Sequence, residues 1–334
     1  MKKLSICIPN YNCEKYLKKC IESAINLDYA NKEIIVADDC SSDNSVKVAE
    51  LYKDEIKLII NRDNLGQTKN TNLVLENATG DYIILLHSDD FLLPDATIQL
   101  LSKLENHPNV VMAAGERFIC DEQDNLKPET ALYNCNCIIP AFEQARVFMF
   151  TSFLPCQVIV RSSVMRRIGG VNVDHVVNLD GLLWFTCALQ GDVLYSQEPV
   201  AAYRKHSAST TAQYNRTSDH IIEYYLTLRE MHRLGKGIPV LEDNFASSKK
   251  RVGEIGLKYA AEPLKEGLVD IAHEYLNLAK TFNCDIHRKY EFKLIEFCCE
   301  NYDSIEPQLM TDLLNSVDKP RKESYDPPKG YIKI

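Results

Sequence analysis

Long apolar runs, excess positive charge and glycine-rich phosphate loops are all missing from this chain of 334 residues. No apolar run approaches the roughly 18 residues that a membrane-spanning helix requires. The net charge of −9 argues against general nucleic-acid binding, which needs a basic surface. Neither Gly-x-Gly-x-x-Gly nor Gly-x-x-x-x-Gly-Lys-Ser/Thr occurs, which disfavours a dinucleotide-binding fold and a P-loop enzyme. Any bound phosphate must therefore be held mainly by a metal ion and by side chains.

The twelve cysteines follow no metal-binding or disulfide pattern, because no Cys-x-x-Cys pair is present. So many free thiols indicate a reducing compartment. The first residues, 1–4, lead almost directly into a strand, without the apolar stretch of a signal peptide. We therefore expect a cytoplasmic protein, with any membrane association peripheral, at the inner face of the membrane.

The first 90 residues alternate between strand and helix patterns. The predicted strands cover 4–9, 33–37, 57–60 and 83–86, and the predicted helices cover 14–27, 45–52 and 68–77. This alternation is typical of right-handed βαβ units, so we predict an α/β fold with a parallel sheet.

Two acidic pairs follow strands of this predicted sheet: Asp38-Asp39 and Asp89-Asp90. The carboxyl ends of parallel strands share one edge, where ligands bind in open α/β sheets. Carboxylate oxygens there suit a hard divalent cation, which commonly accompanies a phosphate. Solvated acidic turns are the alternative, but they would not require both pairs to lie at the same edge.

Four segments carry a family resemblance by their order and residues: SICIPNYN at 5–12, IVADDCSSD at 35–43, NLG at 64–66 and HSDD at 87–90. Over residues 4 to about 210 the chain resembles the family 2 glycosyltransferases of GT-A fold, which are inverting enzymes that use nucleotide sugars. The resemblance implies a mixed, mainly parallel sheet flanked by helices, followed by an all-helical region. We expect a catalytic domain over 1–214, a helical domain over 215–317 and a flexible tail over 318–334.

The resemblance also implies a donor, a cation and their binding residues. The expected donor is a UDP-sugar, with Asp39 accepting the N3–H of uracil, and the expected cation is Mn²⁺ or Mg²⁺. The implied nucleotide-binding residues are Pro9, Tyr11, Asn12, Asp38, Asp39, Asn64, Gly66, Lys69, Asn72, Ser88, Asp89, Arg204 and His206. The implied metal ligands are Asp89, Asp90 and His206.

Two positions depart from the family pattern. His87 stands where the family commonly has an aspartate, and imidazole suits Mn²⁺ better than Mg²⁺, so we expect a tilt towards Mn²⁺. A packed or hydrogen-bonded His87 without a ligand role is the alternative. Thr71 replaces an arginine that often precedes the family asparagine. Lys69 either replaces that charge or is an ordinary solvated helix residue.

Asp180 matches the family position of the catalytic base, while Leu179 stands where the family has a glutamate. An inverting transfer needs a carboxylate that deprotonates the acceptor hydroxyl as it attacks the anomeric carbon. A helix N-cap is the alternative role for Asp180. Trp184, the only tryptophan, is expected in the core rather than as a sugar-stacking platform.

Helical periodicity dominates the chain from residue 215 onwards, at 221–234, 252–261, 264–282 and 290–299. This region could complete the acceptor site, support a homo-oligomer or dock a partner.

The resemblance favours an inverting glycosyltransferase that moves a sugar to a hydroxyl of a glycan, a lipid-linked sugar or a cell-surface polymer, in polysaccharide biosynthesis. A nucleotidyltransferase is one rival, although residues 9–12 are not its glycine-rich basic loop. A non-catalytic GT-A binding module is the other.

Overall fold

The computed structural model describes residues 2–209, 217–317 and 322–334. The chain divides into two compact units, one formed by Met1–Lys205 with Glu323–Ile334 and the other by His206–Lys322. The boundary between them lies nine residues before the predicted boundary at 214/215. The first unit also includes the C-terminal residues, which were predicted as a separate flexible tail.

One sheet organises the first unit. In the described part of the chain its strands are β1 (Leu4–Asn10), β2 (Lys32–Asp38), β3 (Lys57–Ile60), β4 (Tyr82–Leu85), β5 (Phe91–Leu92), β6 (Val110–Cys120), β7 (Leu126–Pro128), β8 (Cys137–Ile139), β9 (Val158–Arg161), β10 (Asp192–Arg204) and β11 (Ile332–Lys333). Their order is β11-β8-β10-β6-β9-β4-β1-β2-β3, with β5 paired to β10 and β7 to β6.

The run β3-β2-β1-β4 is parallel throughout, as the strand–helix alternation predicts. Its central strands are apolar and buried on both faces, which is what a sheet covered by helices on both sides requires. Strand β9 runs antiparallel between β4 and β6, so the sheet is mixed. The predicted α/β architecture is confirmed.

Seven helices accompany the described strands of this unit. They are α1 (Glu14–Ile25), α2 (Ser45–Glu50), α3 (Gln67–Glu76), α4 (Pro94–Glu105), α5 (Ala141–Phe148), α6 (Ser162–Ile168) and α7 (Leu179–Ala188). The apolar side of α1, with Leu17 and Ile21 fully buried, packs into the same core as Ile6 and Ile8 of β1. Burial of such a face supplies most of the stability of a short helix.

Strands β6 and β10 are the longest of the sheet, and sequence patterning did not delimit them. Their parallel pairing shifts register on both sides of Pro199, where bulges interrupt the inward–outward alternation of side chains. Polar residues such as Glu116 and Arg117 also interrupt the apolar pattern of β6. A strand pattern of alternating apolar and polar residues is therefore hard to recognise in β6 and β10. Strand β10 nevertheless matters for function, because it ends at Arg204, beside the candidate site.

The second unit is helical, as predicted. Its described helices are α8 (Asp219–Leu234), α9 (Pro239–Glu242), α10 (Phe245–Tyr259), α11 (Ala261–Lys265), α12 (Val269–Phe282), α13 (Tyr290–Glu300) and α14 (Pro307–Asn315). The predicted helix over 264–282 is in fact two helices, α11 and α12. Gly267 adopts φ +81°, a left-handed conformation that ends the first of them.

The flexible tail predicted over 318–334 is wrong for its described residues. Strand β11 pairs antiparallel with β8, and Tyr325 exchanges backbone hydrogen bonds with Leu132 and Asn134 at 2.9 Å. Proline and lysine composition suggested mobility, but the free backbone groups of a sheet edge offer partners that composition cannot reveal. Residues 318–321 lie outside the described part of the chain.

Among the described residues, none of the helices combines the length and the hydrophobicity that crossing a bilayer demands.

Candidate metal and nucleotide site

The carboxyl ends of β1 and β2 are joined through Asp38. Asn10 Nδ2 donates to Asp38 Oδ2 at 2.7 Å, and the Ser41 backbone N–H and hydroxyl donate to the two oxygens of Asp38 at 2.8 and 2.7 Å. The residue is 1% exposed. These contacts build the turn, and a direct contact between Asp38 and a nucleotide stays a prediction.

Asp39 holds the next loop of the site. Its Oδ1 accepts from Asn61 Nδ2 and from the Leu65 N–H, each at 2.8 Å, and its Oδ2 accepts from the Gly66 N–H at 2.9 Å. A carboxylate offers about four acceptor positions, two on each oxygen. These three hydrogen bonds leave one acceptor position, on Oδ2. An N–H group of a nucleobase could therefore bind Asp39 only there.

Three predicted nucleotide residues lie in the loops around Asp39. Asn12, at φ +47°, accepts the Ser42 N–H through its side-chain oxygen at 2.8 Å. Asn64 accepts the Gly66 N–H at 2.9 Å, and Gly66 itself adopts φ +84° just before α3. All three shape backbone near the edge, and a direct contact with nucleotide stays a prediction for each.

Side chains that a ligand could reach flank these loops. Tyr11 is 52% exposed directly after β1, and Pro9 is half-buried in that strand. Lys69 is exposed in the first turn of α3. Ser88 is buried beside the metal cluster described next.

His87, Asp89 and Asp90 form a cluster at the carboxyl end of β4. One ligand atom from each of the three lies within 4.8 Å of the others. The Nε2 atom of His87 is buried and has no hydrogen-bond partner among the described residues. A buried ring nitrogen without a partner is unfavourable unless a ligand satisfies it.

Burial and charge set the protonation of this cluster. Desolvation, followed by the neighbouring Asp89 charge, raises the pKa of Asp90 well above its usual range, while the Arg204 backbone N–H that donates to it opposes the shift. Burial lowers the pKa of His87, against the opposing effect of the Asp89 charge. A divalent cation would stabilise the ionised carboxylates.

Arg204 lies beneath this loop and is 1% exposed. Its Nε donates to the Asp89 carbonyl at 3.0 Å, and its Nη2 pairs with Asp124 at 2.6 Å. The predicted contact between Arg204 and phosphate is wrong, because the guanidinium is buried and engaged by protein acceptors. The sequence motif located the residue but not the direction of its side chain.

Asn72 binds the backbone of a neighbouring turn. Its Nδ2 donates to the Val171 carbonyl at 2.9 Å, and its Oδ1 accepts the Val171 N–H at 2.8 Å. Both ends of the amide therefore bind the backbone after the Gly169-Gly170 turn. Asn72 connects α3 to that turn, and a direct contact with a nucleotide stays a prediction.

Asp180 is the second residue of α7, where its Oδ1 accepts the N–H of Gly181 at 2.8 Å. The N-cap position belongs to Asn178, so Asp180 does not cap the helix. Burial raises the pKa of Asp180 to about 6, against opposing hydrogen bonds from the protein and the positive charge of Arg117. A carboxylate with that pKa suits proton abstraction near neutral pH.

Trp184 is fully buried and donates its indole N–H to the Phe153 carbonyl at 3.0 Å, so the core prediction is confirmed. His206 follows β10 by two residues and belongs to the second unit. Its role as a metal or nucleotide ligand stays a prediction.

Sequence reasoning missed a set of buried amides behind the acidic turns. Asn70 donates to the Ala37 carbonyl at 2.9 Å and accepts from Asn61 at 3.0 Å. A usable signal existed, since Asn70 falls among the buried positions of α3. A polar residue on a buried helix face normally has a specific hydrogen-bonding role.

Part of this chain is similar to a known protein family. Residues 5–164 match the sequence model of Glycosyl transferase family 2. An uncharacterized glycosyltransferase of Haemophilus influenzae is 40% identical over 126 residues, which are 36% of this chain and 50% of that protein.

The fold is similar to two solved glycosyltransferase structures. TarS 1-349 of S. aureus, solved in complex with UDP-GlcNAc, superposes with a TM-score of 0.60 at 16% identity, covering 95% of this chain and 91% of that one. The mannosyltransferase PcManGT of Pyrobaculum calidifontis, solved with GDP-Man and Mn²⁺, gives 0.54 at 15% identity, with 95% and 85% covered. At these identities the likeness establishes the fold alone.

The matched regions leave much of the relatives uncovered, since the chain spans 50% and 45% of the length of the first two curated proteins that it matches. The family motifs nevertheless fall on the sheet edge that carries the acidic loops. Residues 5–164 are therefore similar in sequence to Glycosyl transferase family 2.

Proposed function

We propose that this protein is an inverting glycosyltransferase that transfers a sugar from a UDP-sugar to a hydroxyl of a glycan, lipid-linked or cell-surface polymer acceptor. The observation that carries the proposal is the cluster of His87, Asp89 and Asp90 at the carboxyl end of β4. UDP is favoured because Asp39 keeps one acceptor position, on Oδ2, for the N3–H of uracil. Tyr11 is exposed beside it to border the base.

The residues of the cluster fit a divalent cation, Mn²⁺ better than Mg²⁺. The donor set combines one imidazole nitrogen with carboxylate oxygens, and imidazole is a poor ligand for Mg²⁺. His87 Nε2 is buried without a partner, so a cation would satisfy an atom that the protein leaves unsatisfied. His87, Asp89 and Asp90 would hold the ion, which would neutralise charge on the diphosphate of the donor.

The chain's own groups supply the remaining chemistry. Asp180 accepts the proton of the acceptor hydroxyl while that oxygen attacks the anomeric carbon from the side opposite the leaving diphosphate, which inverts the configuration. The Gly181 N–H donates to Asp180 Oδ1, which orients the carboxylate. Burial raises the pKa of Asp180 to about 6, so the group is ionised at neutral pH yet basic enough to take the proton.

Titration calorimetry with UDP, GDP and CDP, each with and without Mn²⁺, tests the donor site. We expect UDP to bind most tightly, and its binding to depend on Mn²⁺. A screen of UDP-sugars by thermal shift then identifies the donor sugar. Failure of all three nucleotides to bind in the presence of Mn²⁺ would contradict the proposal.

A further inference from the structure

A five-residue turn, 121–125, connects β6 to β7. It contacts Arg204, which lies beneath residues 87–90, called the metal loop below. Asp121 shapes the turn, because its carboxylate accepts the backbone N–H groups of Gln123 and Asn125, each at 2.9 Å, and the Asn125 side-chain amide at 2.8 Å. Asp124 completes it in a left-handed conformation, at φ +67°. The turn is thereby held in one shape by its own side chains.

Arg204 links this turn to the metal loop at four points. Its Nη1 donates to the Asp121 carbonyl at 2.6 Å and its Nη2 pairs with Asp124 Oδ1 at 2.6 Å. On the other side, its Nε donates to the Asp89 carbonyl at 3.0 Å and its backbone N–H donates to Asp90 Oδ1 at 2.9 Å. The guanidinium carbon also lies 4.5 Å from the centre of the Tyr16 ring.

Two ion pairs also connect the 121–125 turn to helix α1. Lys15 pairs with Glu122 at 2.7 Å, and Lys19 pairs with Asp124 at 2.9 Å. Asp124 therefore pairs with two cationic side chains, the partly exposed Lys19 and the buried Arg204. A buried guanidinium needs charge compensation and filled hydrogen bonds, and Asp124 is the carboxylate that pairs with it.

We propose that the 121–125 turn positions the metal loop through Arg204. Asp121 and Asp124 fix the Arg204 guanidinium, and Arg204 in turn fixes Asp89 and Asp90. The proposal rests on the metal site of the proposed function. The planar fork of arginine fixes several acceptors in one geometry, which a lysine could not do. Arg204 and Asp124 are positioning residues, because Arg204 bonds the Asp89 carbonyl and Asp90 Oδ1 from the protein side and Asp124 pairs with the Arg204 guanidinium. Outer-shell partners of this kind typically change metal affinity by about 10- to 100-fold when they are removed.

Mn²⁺ binding to the full chain in the presence of UDP tests this proposal, with free Mn²⁺ counted by electron paramagnetic resonance. Asp124→Asn should weaken Mn²⁺ binding about tenfold. Asp121→Ala, which leaves the Arg204–Asp124 pair in place but releases the turn, should weaken it several-fold. Glu122→Gln is the matched control: it removes one negative charge from the same turn without touching Arg204, and it should bind Mn²⁺ as the wild type does.

Thermal melts of each variant establish that it is folded, and if Asp124→Asn does not fold, Asp121→Ala decides the question. Wild-type affinity in both folded variants would overturn the positioning role and leave the metal site intact. A loss of equal size in Glu122→Gln would also overturn it, because the effect would then be general electrostatics. If the wild type itself binds no Mn²⁺ with UDP, the metal site fails and this inference fails with it.

Discussion

Asp180→Asn separates the two roles considered for this carboxylate by its effect on stability. The substitution keeps the shape of the side chain and keeps an oxygen that can accept the Gly181 N–H, but it removes the charge. A base held in a desolvated site costs stability when ionised, so the variant should be more stable at pH 7. Asparagine caps a helix about as well as aspartate does, so a capping role would leave the stability of the variant nearly unchanged.

The expected increase in the free energy of unfolding follows from the pKa of Asp180. Burial raises the pKa of Asp180 from 3.8 to about 6, and that difference corresponds to about 3 kcal/mol. The side chain keeps some solvent exposure, so this value is an upper bound. Because the folded state binds the proton more tightly, the wild type loses stability as pH rises from about 4 to about 6. The gain should therefore be near zero below pH 4 and largest above pH 6.

Urea denaturation between pH 3.5 and 8, in the presence of a chelator, measures this difference. Asp174→Asn, an exposed change in the segment that precedes α7, is the control and should alter the free energy of unfolding by less than about 0.5 kcal/mol. Transfer activity should be lost in Asp180→Asn while UDP affinity stays within a few-fold of wild type. Full activity would refute the base assignment, and unchanged or lower stability at pH 7 would refute the raised pKa of Asp180.

The remaining predictions concern the metal loop and the turn before α7. Asp90→Ala should abolish Mn²⁺-dependent nucleotide binding in calorimetry, and unchanged affinity would contradict the metal site. His87→Asp should shift the ratio of Mn²⁺ to Mg²⁺ affinity towards Mg²⁺ by about tenfold, because the imidazole ligand is replaced by an oxygen ligand; an unchanged ratio would show that His87 is not a ligand. Gly170→Ala should cost more stability than Gly169→Ala. Both glycines have φ near +80°, which costs about 1–2 kcal/mol for alanine, but only a Cβ at 170 would also collide with the Asn72 side chain. Equal losses in chemical denaturation would show that Asn72 can move away.

Much of the sheet edge follows from local sequence. Apolar runs of four to seven residues, each followed by acidic or turn residues, predict buried parallel strands, and the structure has them at β1, β2 and β4. Parallel strands place their carboxyl ends at one edge whatever the details of packing. The juxtaposition of Asp38-Asp39 with the His87–Asp90 segment could therefore be predicted before any coordinates.

The use of each side chain could not be predicted in this way, because it depends on partners far away in the chain. Arg204 and Asn72 carry motif positions, yet one contacts Asp124 and the other contacts Val171. A motif specifies which residue stands at the end of a strand, but burial decides whether that side chain reaches solvent or a protein acceptor. The pairing of β11 with β8 is of the same kind, since it joins residues about 190 positions apart.

Sequence alone thus determined the architecture of the edge and its acidic chemistry, because hydrophobic periodicity and chain direction act locally. Only the tertiary structure decided that Asp38 builds the turn after β2 and that Arg204 is engaged by protein acceptors. It also decided that His87 Nε2 is buried without a partner among the described residues, and that burial raises the pKa of Asp180. These properties arise from desolvation and from hydrogen bonds between distant segments. Desolvation and such long-range hydrogen bonds exist only once the chain has folded.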